Sequence, residues 1–254
     1  MPEQPDPVLP PERRVDLIEE LHHRFGPGNT GLGGIRNKLR FWRKKYAWLV
    51  VTRSVWLLKR SLDVLVSLAA LIALSPLFLI VAVCIKLTDG GPVFFFQKRV
   101  GRWGREFTFP KFRSMVVNAE ELKEELTAQS DHGEESITFK MKKDPRITWI
   151  GRFIRKLSID ELPQLWCVLT GEMALVGPRP PTVKEVAAYT LADRRRLDVT
   201  PGLTCFWQVE GRGDIPFPEQ VKLDVKYIES QNLLTDVLIL LKTVPAVLLG
   251  KGAY

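Results

Sequence analysis

The chain has 254 residues, which is enough for one good-sized domain with extensions. Its net charge of +8 and pI near 9.5 favour an anionic partner such as phosphate groups, nucleic acid or an acidic membrane surface. Three cysteines without paired or metal-ligand spacing indicate free thiols in a reducing compartment. Three histidines, two of them near the N terminus, disfavour histidine acid–base chemistry and His-rich metal sites.

The first 34 residues are typical of an extension. Residues 1–11 are Pro-rich and predict a disordered tail without a cleavable signal peptide, and residues 12–25 predict a short amphipathic helix. The next segment, GPGNTGLGG at 26–34, contains a literal G-x-G-x-x-G. No strand precedes it and a proline interrupts it, so it predicts a flexible linker and not a dinucleotide loop.

Residues 36–60 carry nine lysines and arginines and no acid. Aromatic residues are interleaved with them: Phe41, Trp42, Tyr46, Trp48 and Trp56. This composition suits the headgroup layer of a membrane, and it equally suits nucleic acid. The segment that follows favours the membrane.

Residues 64–85 are 22 consecutive uncharged, mostly apolar residues between Asp63 and Lys86. A membrane-spanning helix needs roughly 20, so the segment is predicted to be membrane-embedded. The basic residues before it place its N-terminal side in the cytoplasm. Ser75-Pro76 near its middle predicts either a kinked span or a hairpin that returns to the same face. Local physics favours the span, whereas the basic segments on both sides and the free cysteines favour the hairpin.

The rest of the chain has the composition of a soluble domain. Residues 93–101 and 105–115 predict two strands around a Gly-rich turn, and 129–136 predict a loop. Predicted helices cover residues 116–128, 146–157, 162–169 and 217–230. Residues 233–248 are apolar but interrupted by charges and Pro245, which predicts a helix lying in the membrane interface.

Two adjacent acids, Asp160 and Glu161, precede the apolar helix at 162–169. Acids at a helix start complement its dipole, and Ser158-x-x-Glu161 fits a capping box, with Pro163 in the first turn. These observations alone favour a structural role.

Cations near the acid pair favour a chemical role instead. Arginine recognises phosphate bidentately, and several basic residues lie just upstream of the pair, in the proline-stiffened GPRPP segment or in other short motifs. They are Lys111, Arg113, Arg146, Arg152, Arg155, Lys156, Arg179 within GPRPP at 177–181, and Arg212. Such a set, with one carboxylate pair, suits phosphoryl transfer, in which a divalent metal bridges carboxylate and phosphate and an acid can be the nucleophile.

Several motifs together resemble one family. They are LSPLF, KFRSM, DPRIT-xx-GRFIRK, LSIDELPQL, GEM-xLVGPRP, PGLT-xxWQV-xGR and the ending LLKTVPAVLLGKGAY. In this order and with this spacing they resemble the bacterial monotopic phosphoglycosyl transferases, the undecaprenyl-phosphate sugar-phosphate transferases. The resemblance covers residues 58–254 and leaves 1–57 outside.

The resemblance implies a fold. It is an α/β, helix-rich monotopic membrane protein with a re-entrant helix-break-helix, a small cytoplasmic catalytic domain and interfacial amphipathic helices. Residues 1–57 would be the N-terminal extension, 58–88 the re-entrant membrane helix broken at Ser75 and Pro76, and 89–254 the catalytic domain. The implied location is the cytoplasmic face of the bacterial inner membrane.

The resemblance also implies a reaction. The family transfers a sugar 1-phosphate from a UDP-sugar to undecaprenyl phosphate through a phosphosugar-aspartyl intermediate, releasing UMP. Asp160 would be the nucleophile and would hold Mg²⁺ together with Glu161, its partner, for which the role of proton acceptor for the incoming phosphate is the alternative. Such enzymes start exopolysaccharide, capsule, O-antigen or glycoprotein glycan assembly. Membrane lipids, downstream glycosyltransferases and a second copy of the chain are the further partners considered, and nucleic acid is not expected.

Substrate-binding positions follow residue by residue from the matching motifs: Arg155, Pro178, Arg179, Pro180, Lys111, Arg113, Arg212 and Asp224. One departure is Cys205-Phe206, where the family implies small residues, and it leaves the identity of the sugar open. Cys167 is expected to be a packing residue. A membrane-anchored lipid-binding scaffold without catalysis is the alternative, ahead of a transporter subunit or an anchored nucleic-acid-binding protein.

Overall fold

The computed structural model describes residues 32–119, 121–122 and 144–249. The predictions for residues 1–11, 12–25 and 129–136, and for most of helix 116–128, lie outside this range. The chain divides into two compact units, Met1–Lys59 and Arg60–Tyr254. The described residues are mainly helical with two small sheets, which confirms the helix-rich character of the predicted fold.

Seven helices and four strands cover most of the described residues. In chain order they are α1 (Leu32–Asp89), β1 (Phe94–Val100), β2 (Glu106–Phe112), α2 (Trp149–Lys156), α3 (Leu165–Thr170), β3 (Ala174–Val176), α4 (Val183–Ala187), β4 (Gly202–Thr204), α5 (Phe206–Glu210), α6 (Phe217–Glu229) and α7 (Leu233–Leu249). Short 3₁₀ turns lie at Arg102–Gly104, Ile159–Gln164, Asp193–Leu197 and Arg212–Asp214. The helices predicted at 146–157, 217–230 and 233–248 are confirmed, the first beginning three residues later than predicted.

Helix α1 contains the predicted membrane segment. Within the described residues, Arg53–Asp89 is the one helix long and apolar enough to cross a membrane, judged by length and composition. The helix begins at Leu32, so the predicted linker is wrong at its last three residues. It also stays helical through Ser75 and Pro76, where a break was expected, and the Ser75 hydroxyl bonds the Ile72 carbonyl at 2.8 Å. The return of the chain to the same membrane face stays a prediction.

Hydrogen bonds join the start of the apolar segment to the rest of the second unit. The Arg60 guanidinium donates to the carbonyl oxygens of Val168 and Leu169 at 2.5 and 2.8 Å. These carbonyls lie near the C-terminal end of α3, where a cation is favoured. The buried Asp63 carboxylate accepts a hydrogen bond from the Leu175 backbone N–H of β3 at 3.3 Å.

The end of the same segment is fastened to other parts of that unit. Asp89, the last residue of α1, forms an ion pair with Arg113, which follows β2. Two turns and one turn earlier, Val81 and Ile85 are buried in an apolar cluster with Phe112, Ile150, Ile154 and Ile159. Both ends of the segment therefore contact the part of the chain that follows it.

The two predicted strands form an antiparallel hairpin, as expected. The register runs from Phe94 opposite Phe112 to Val100 opposite Glu106. Alternate β2 residues, Phe107 and Phe109, are buried in the main core, in agreement with the two-residue period of a strand. The hairpin therefore carries Lys111 to one edge of that core.

The main core lies between the hairpin, α3, β3, α6 and α7. Tyr227 on α6 is fully buried, and its hydroxyl lies 3.0 Å from the Val176 carbonyl oxygen and 2.8 Å from Asp236 Oδ1. This contact joins α6, β3 and α7. Asp236 is a charged residue in an otherwise mostly apolar helix. Its side chain is buried and accepts the Tyr227 hydrogen bond.

We expect Gly202→Ala to destabilise the protein by about 1–3 kcal/mol through overpacking. Strands β3 and β4 are parallel, and a Cβ at Gly202 would lie 2.0 Å from the Gly177 backbone nitrogen. The change would force apart the backbone that holds the GPRP loop, since Gly202 N–H donates to the Pro178 carbonyl at 2.9 Å. Thermal unfolding in detergent measures the effect, and an unchanged midpoint would contradict it.

Candidate active site

The acid pair lies in the 3₁₀ turn Ile159–Gln164, between α2 and α3. The capping-box interpretation is wrong. Ser158 has a left-handed backbone (φ 53°) and its side chain makes no capping hydrogen bond. The helix predicted from residue 162 becomes α-helical at Leu165. The carboxylate of Glu161 is engaged elsewhere.

Glu161 is held by two cations from distant parts of the chain. Lys111 Nζ on β2 lies 2.7 Å from Glu161 Oε1. Arg179 binds the same carboxylate with two parallel bonds, of 3.0 Å to Oε2 and 2.5 Å to Oε1. The structure thus brings together three residues that the sequence had proposed for the site.

The two adjacent acids have opposite electrostatic environments. Burial raises the pKa of Asp160 to about 6, although the nearby Lys111 charge opposes this shift and Glu161 adds to it. Burial would also raise the pKa of Glu161, but Arg179 and Lys111 hold it well below its usual range. Two carboxyl groups with pKa values pushed apart are typical of a pair with divided roles.

Two further predicted cations act on Asp160 or Glu161. Arg155, near the C-terminal end of α2, lowers the pKa of Asp160 by its charge. Arg212 is half-buried and has a left-handed backbone (φ 52°), which is uncommon for a non-glycine residue. Burial lowers the pKa of Arg212, whereas the charges of Glu161 and Asp160 raise it.

The predicted prolines form the loop that carries Arg179. Pro178 and Pro180 are both buried, and each has a backbone carbonyl that accepts a hydrogen bond from another segment. The loop is therefore fixed on both sides of Arg179. A rigid loop reduces the entropy lost when a guanidinium binds a ligand.

Other predicted residues have their contacts elsewhere. Arg113 pairs with Asp89 at the end of α1. Arg146 pairs with the buried Asp144 at 2.6 Å, and Arg152 and Lys156 are exposed on α2. The predicted site residue Asp224 is fully buried and pairs with Arg196 at 2.7 Å.

Cys205 follows β4 and is affected by charges from two ion pairs, Arg196–Asp224 and Arg179–Glu161. It is fully buried, its thiol donates to Gln208 Oε1 at 3.2 Å, and burial raises its pKa well above the usual value. The charge of Asp224 also raises its pKa, whereas the charges of Arg196 and Arg179 lower it. Cys205, which departs from the family pattern, is therefore a residue of the protein interior. Cys167 is also buried, with a pKa raised to about 12 by burial and by Glu172, as expected for a packing residue.

Sequence reasoning missed Arg99 on β1. Its side chain is 12% exposed, and it donates to the Pro180 carbonyl at 3.0 Å and to Gln97 Oε1 at 3.0 Å. Burial and the Arg179 charge lower its pKa to about 10, while Glu185 and Glu161 oppose this. The sequence offered little signal, because Arg99 follows the polar Gln97 and Lys98 and lies one residue before the end of the strand.

The acid pair can contribute to a divalent cation site. Within the residues that the structure describes, no cluster of three His, Cys, Asp or Glu side chains exists. Mg²⁺, however, is usually bound by one or two carboxylates together with substrate phosphates and water. Asp160 makes no side-chain hydrogen bond or ion pair with the described residues, so its oxygens fit such a role.

Cations gathered around an adjacent pair of carboxylates are the arrangement expected in the class of proteins that handle phosphate-containing molecules. Residues 54–250 match the family model described as bacterial sugar transferase, and the chain belongs to that family. The resemblance noted in the sequence is thereby confirmed.

Three relatives illustrate the family. The chain is 43% identical to the exopolysaccharide production protein ExoY of Sinorhizobium fredii, over 77% of this chain and 88% of that protein. It is 53% identical to the galactosyl transferase CpsE of Streptococcus agalactiae, over 65% of this chain and 36% of that protein. It is 45% identical to the undecaprenyl-phosphate galactose phosphotransferase of Salmonella typhimurium, over 80% of this chain and 43% of that protein. The chain spans most of ExoY and less than half of the other two.

Proposed function

We propose that the protein transfers a sugar 1-phosphate from a UDP-sugar to undecaprenyl phosphate, giving undecaprenyl-diphosphate-sugar and UMP, and so starts the assembly of a bacterial polysaccharide. The observation that carries this proposal is the adjacent pair Asp160–Glu161: half-buried Glu161 pairs with Lys111 and Arg179, whereas buried Asp160 has no ion pair among the described residues. The names of the relatives, a galactose phosphotransferase and an exopolysaccharide production protein, agree with it.

In the first step, an oxygen of Asp160 attacks the phosphorus that carries the sugar. A bond forms between this oxygen and phosphorus, the bridging P–O bond breaks, and its electron pair leaves with UMP. Arg179 and Arg212 would stabilise the charge on the phosphates. The raised pKa of Asp160 leaves most of it ionised at neutral pH, while burial leaves it weakly solvated.

In the second step, a phosphate oxygen of undecaprenyl phosphate attacks the same phosphorus and Asp160 leaves as a carboxylate. One phosphate-binding site then serves a soluble and a lipid substrate in turn. Asp160 and Glu161 would hold Mg²⁺, which when bound supplies positive charge to the phosphates. Glu161 also fixes Lys111 and Arg179 beside the nucleophile.

The attachment of α1 supports a monotopic arrangement, and the basic residues that precede its apolar segment support the cytoplasmic face of the inner membrane. From Arg60 to Asp89 a helix extends for roughly 44 Å at 1.5 Å per residue, longer than the hydrocarbon core of a bilayer. Both ends contact the same compact unit. A helix that crossed the membrane would carry its ends to opposite sides, so contact of both ends with one unit favours a helix that enters and leaves on one side. The bend at Pro76 that this path requires is part of the proposal, since α1 is helical there.

The test is UMP release by the full-length protein in detergent, with Mg²⁺, undecaprenyl phosphate and a panel of UDP-sugars. Release with one sugar, dependent on the metal, is the expected result. No release with any sugar, by protein that remains folded, would contradict the proposed function.

The pH dependence should reflect the raised pKa of Asp160. Because the carboxylate form is the nucleophile, kcat/KM should rise about tenfold per pH unit below about pH 6 and level off above it. An unperturbed aspartate would place this limb near its ordinary pKa, about 3.9. A profile that is flat from about pH 5 to about pH 7 would contradict the assignment.

Arg99→Lys should lower kcat/KM by about 10- to 100-fold while leaving the charge in place. A lysine cannot reproduce the two bonds to Pro180 and Gln97, and a charge-assisted hydrogen bond contributes about 1.5–3 kcal/mol. The loop carrying Arg179 would then be less well positioned. Steady-state kinetics measure the effect, with exposed Arg152→Lys on α2 as the matched control, and equal kinetics for the two variants would contradict it.

A further inference from the structure

The first part of α1 precedes the family match and has two different faces. At about 100° per residue, positions 39, 42 and 46 fall on one side of a helix. Leu39, Trp42 and Tyr46 occupy these positions and form an apolar stripe, with side chains 66%, 39% and 58% exposed. The rings of Trp42 and Tyr46 stack with centroids 5.7 Å apart. The stripe is thus preformed and exposed.

Cations surround the apolar stripe. On the same helical wheel, Lys38 and Arg43 lie about 70° to either side of its centre. Arg40 and Lys44 lie on the opposite side of the helix. Lys45 Nζ is 4.8 Å from the centroid of the Trp42 ring. No acid occurs between Leu32 and Leu62, so the charge of this segment is entirely positive.

We propose that residues 36–46 lie on an anionic phospholipid surface, with the apolar stripe at the boundary of headgroups and acyl chains and with Lys38 and Arg43 on the lipid phosphates. Basic amphipathic helices with an exposed Trp-containing face bind such surfaces in this orientation. Trp and Tyr favour this depth, and long basic side chains reach up to the headgroups from it. The same helix continues into the membrane-type segment Arg53–Asp89, which supports the choice of lipid.

Two other occupants fit less well. A base of a single-stranded nucleic acid needs an open aromatic face, whereas the Trp42 ring already contacts Tyr46 and Lys45. A second copy of the helix would bring the flanking cations of two chains together and lose affinity by repulsion. An anionic lipid layer complements both the stripe and its flanks.

The experiment measures amide hydrogen exchange of residues 36–46 in the full-length protein, in nanodiscs containing phosphatidylglycerol and in phosphatidylcholine nanodiscs. Exchange should be at least about tenfold slower in the anionic discs, and high salt should remove most of the difference because it screens exposed charges. This comparison of the two kinds of nanodisc needs only the wild-type protein. Equal exchange in the two kinds of disc would overturn the proposal.

Matched charge reversals test the orientation. Lys38→Glu with Arg43→Glu changes the flanks of the stripe, whereas Arg40→Glu with Lys44→Glu makes the same change in net charge on the opposite side. The first pair should abolish the slowing in anionic discs and the second should retain most of it, with helical content checked by circular dichroism. Equal effects of the two pairs would overturn the proposed orientation.

The alternative occupants are outcomes of the same experiment. Slower exchange on adding single-stranded RNA to phosphatidylcholine discs, without an effect of phosphatidylglycerol, would assign the helix to nucleic acid. Protection that appears only in discs carrying two copies of the protein would assign it to self-association. UMP release is measured in parallel, and its presence or absence does not affect the conclusion on lipid contact.

Discussion

Replacing Asp160 by asparagine is expected to lower kcat for sugar-phosphate transfer by at least about a thousandfold, because the amide is a poor nucleophile. The change is nearly isosteric, and Asp160 makes no ion pair with the described residues, so the fold should be kept. UMP release measures the effect. Exchange of labelled UMP into the UDP-sugar without undecaprenyl phosphate should be seen with wild-type protein and lost in the variant.

Glu161→Gln is the matched comparison. It removes the charge that holds Lys111 and Arg179, so transfer should fall, whereas the nucleophile remains and UMP exchange should still be measurable. A pattern in which Asp160→Asn keeps wild-type release would contradict the covalent mechanism. An Asp160→Asn variant that keeps the biological function without any transfer would favour a membrane scaffold.

Local patterns predicted the elements that depend on near neighbours. The apolar run at 64–85 is long enough to define a helix by itself, and the helix at 217–230 is defined by apolar residues repeating with the period of an α-helix. The strands of the hairpin follow from short β-prone runs around a glycine-containing turn. These predictions required no knowledge of residues far along the chain.

The acid pair shows where local patterns mislead. Ser158 and Glu161 have the spacing of a capping box, but Ser158 turns left-handed and Glu161 binds partners 50 and 18 residues away. Two close cations stabilise an ionised carboxylate more than a single backbone hydrogen bond does. The long-range ion pairs of Glu161 therefore determine the conformation here, and the local capping preference does not.

The role of Arg99 could not be predicted for the same reason. Its partner Pro180 is 81 residues away, and the pairing arises because the edge of β1 meets the segment after the GPRP loop. Similarly, the substrate-binding role assigned to Asp224 by motif stays a prediction, and its hydrogen-bond partner Arg196, 28 residues away, could not be read from the sequence. In both cases the sequence identified a charged residue but not the element that packs against it.

Replacing Asp224 by asparagine is expected to destabilise the protein by about 3–5 kcal/mol, because it leaves a buried arginine without its counter-charge. Asp224 is fully buried, and its partner Arg196 is 5% exposed. Burial raises the pKa of Asp224 to about 6, with Arg196 opposing the shift, so the charged pair is retained at neutral pH. The arginine also donates to the Tyr189 hydroxyl at 2.8 Å and lies near the rings of Tyr189 and Phe217.

Glu229→Gln on the same helix is the control for this prediction, since it breaks the exposed Arg195–Glu229 pair at 3.3 Å. An exposed pair contributes about 0–1 kcal/mol, so its loss should hardly change the unfolding midpoint. For Asp224→Asn the midpoint should fall by roughly 10 °C, at about 2–4 °C per kcal/mol. The double variant Asp224→Leu with Arg196→Met should recover part of this loss because no charge remains buried. Equal midpoints for the Asp224 and Glu229 variants would show that the buried pair does not stabilise the core beside the Arg179 loop.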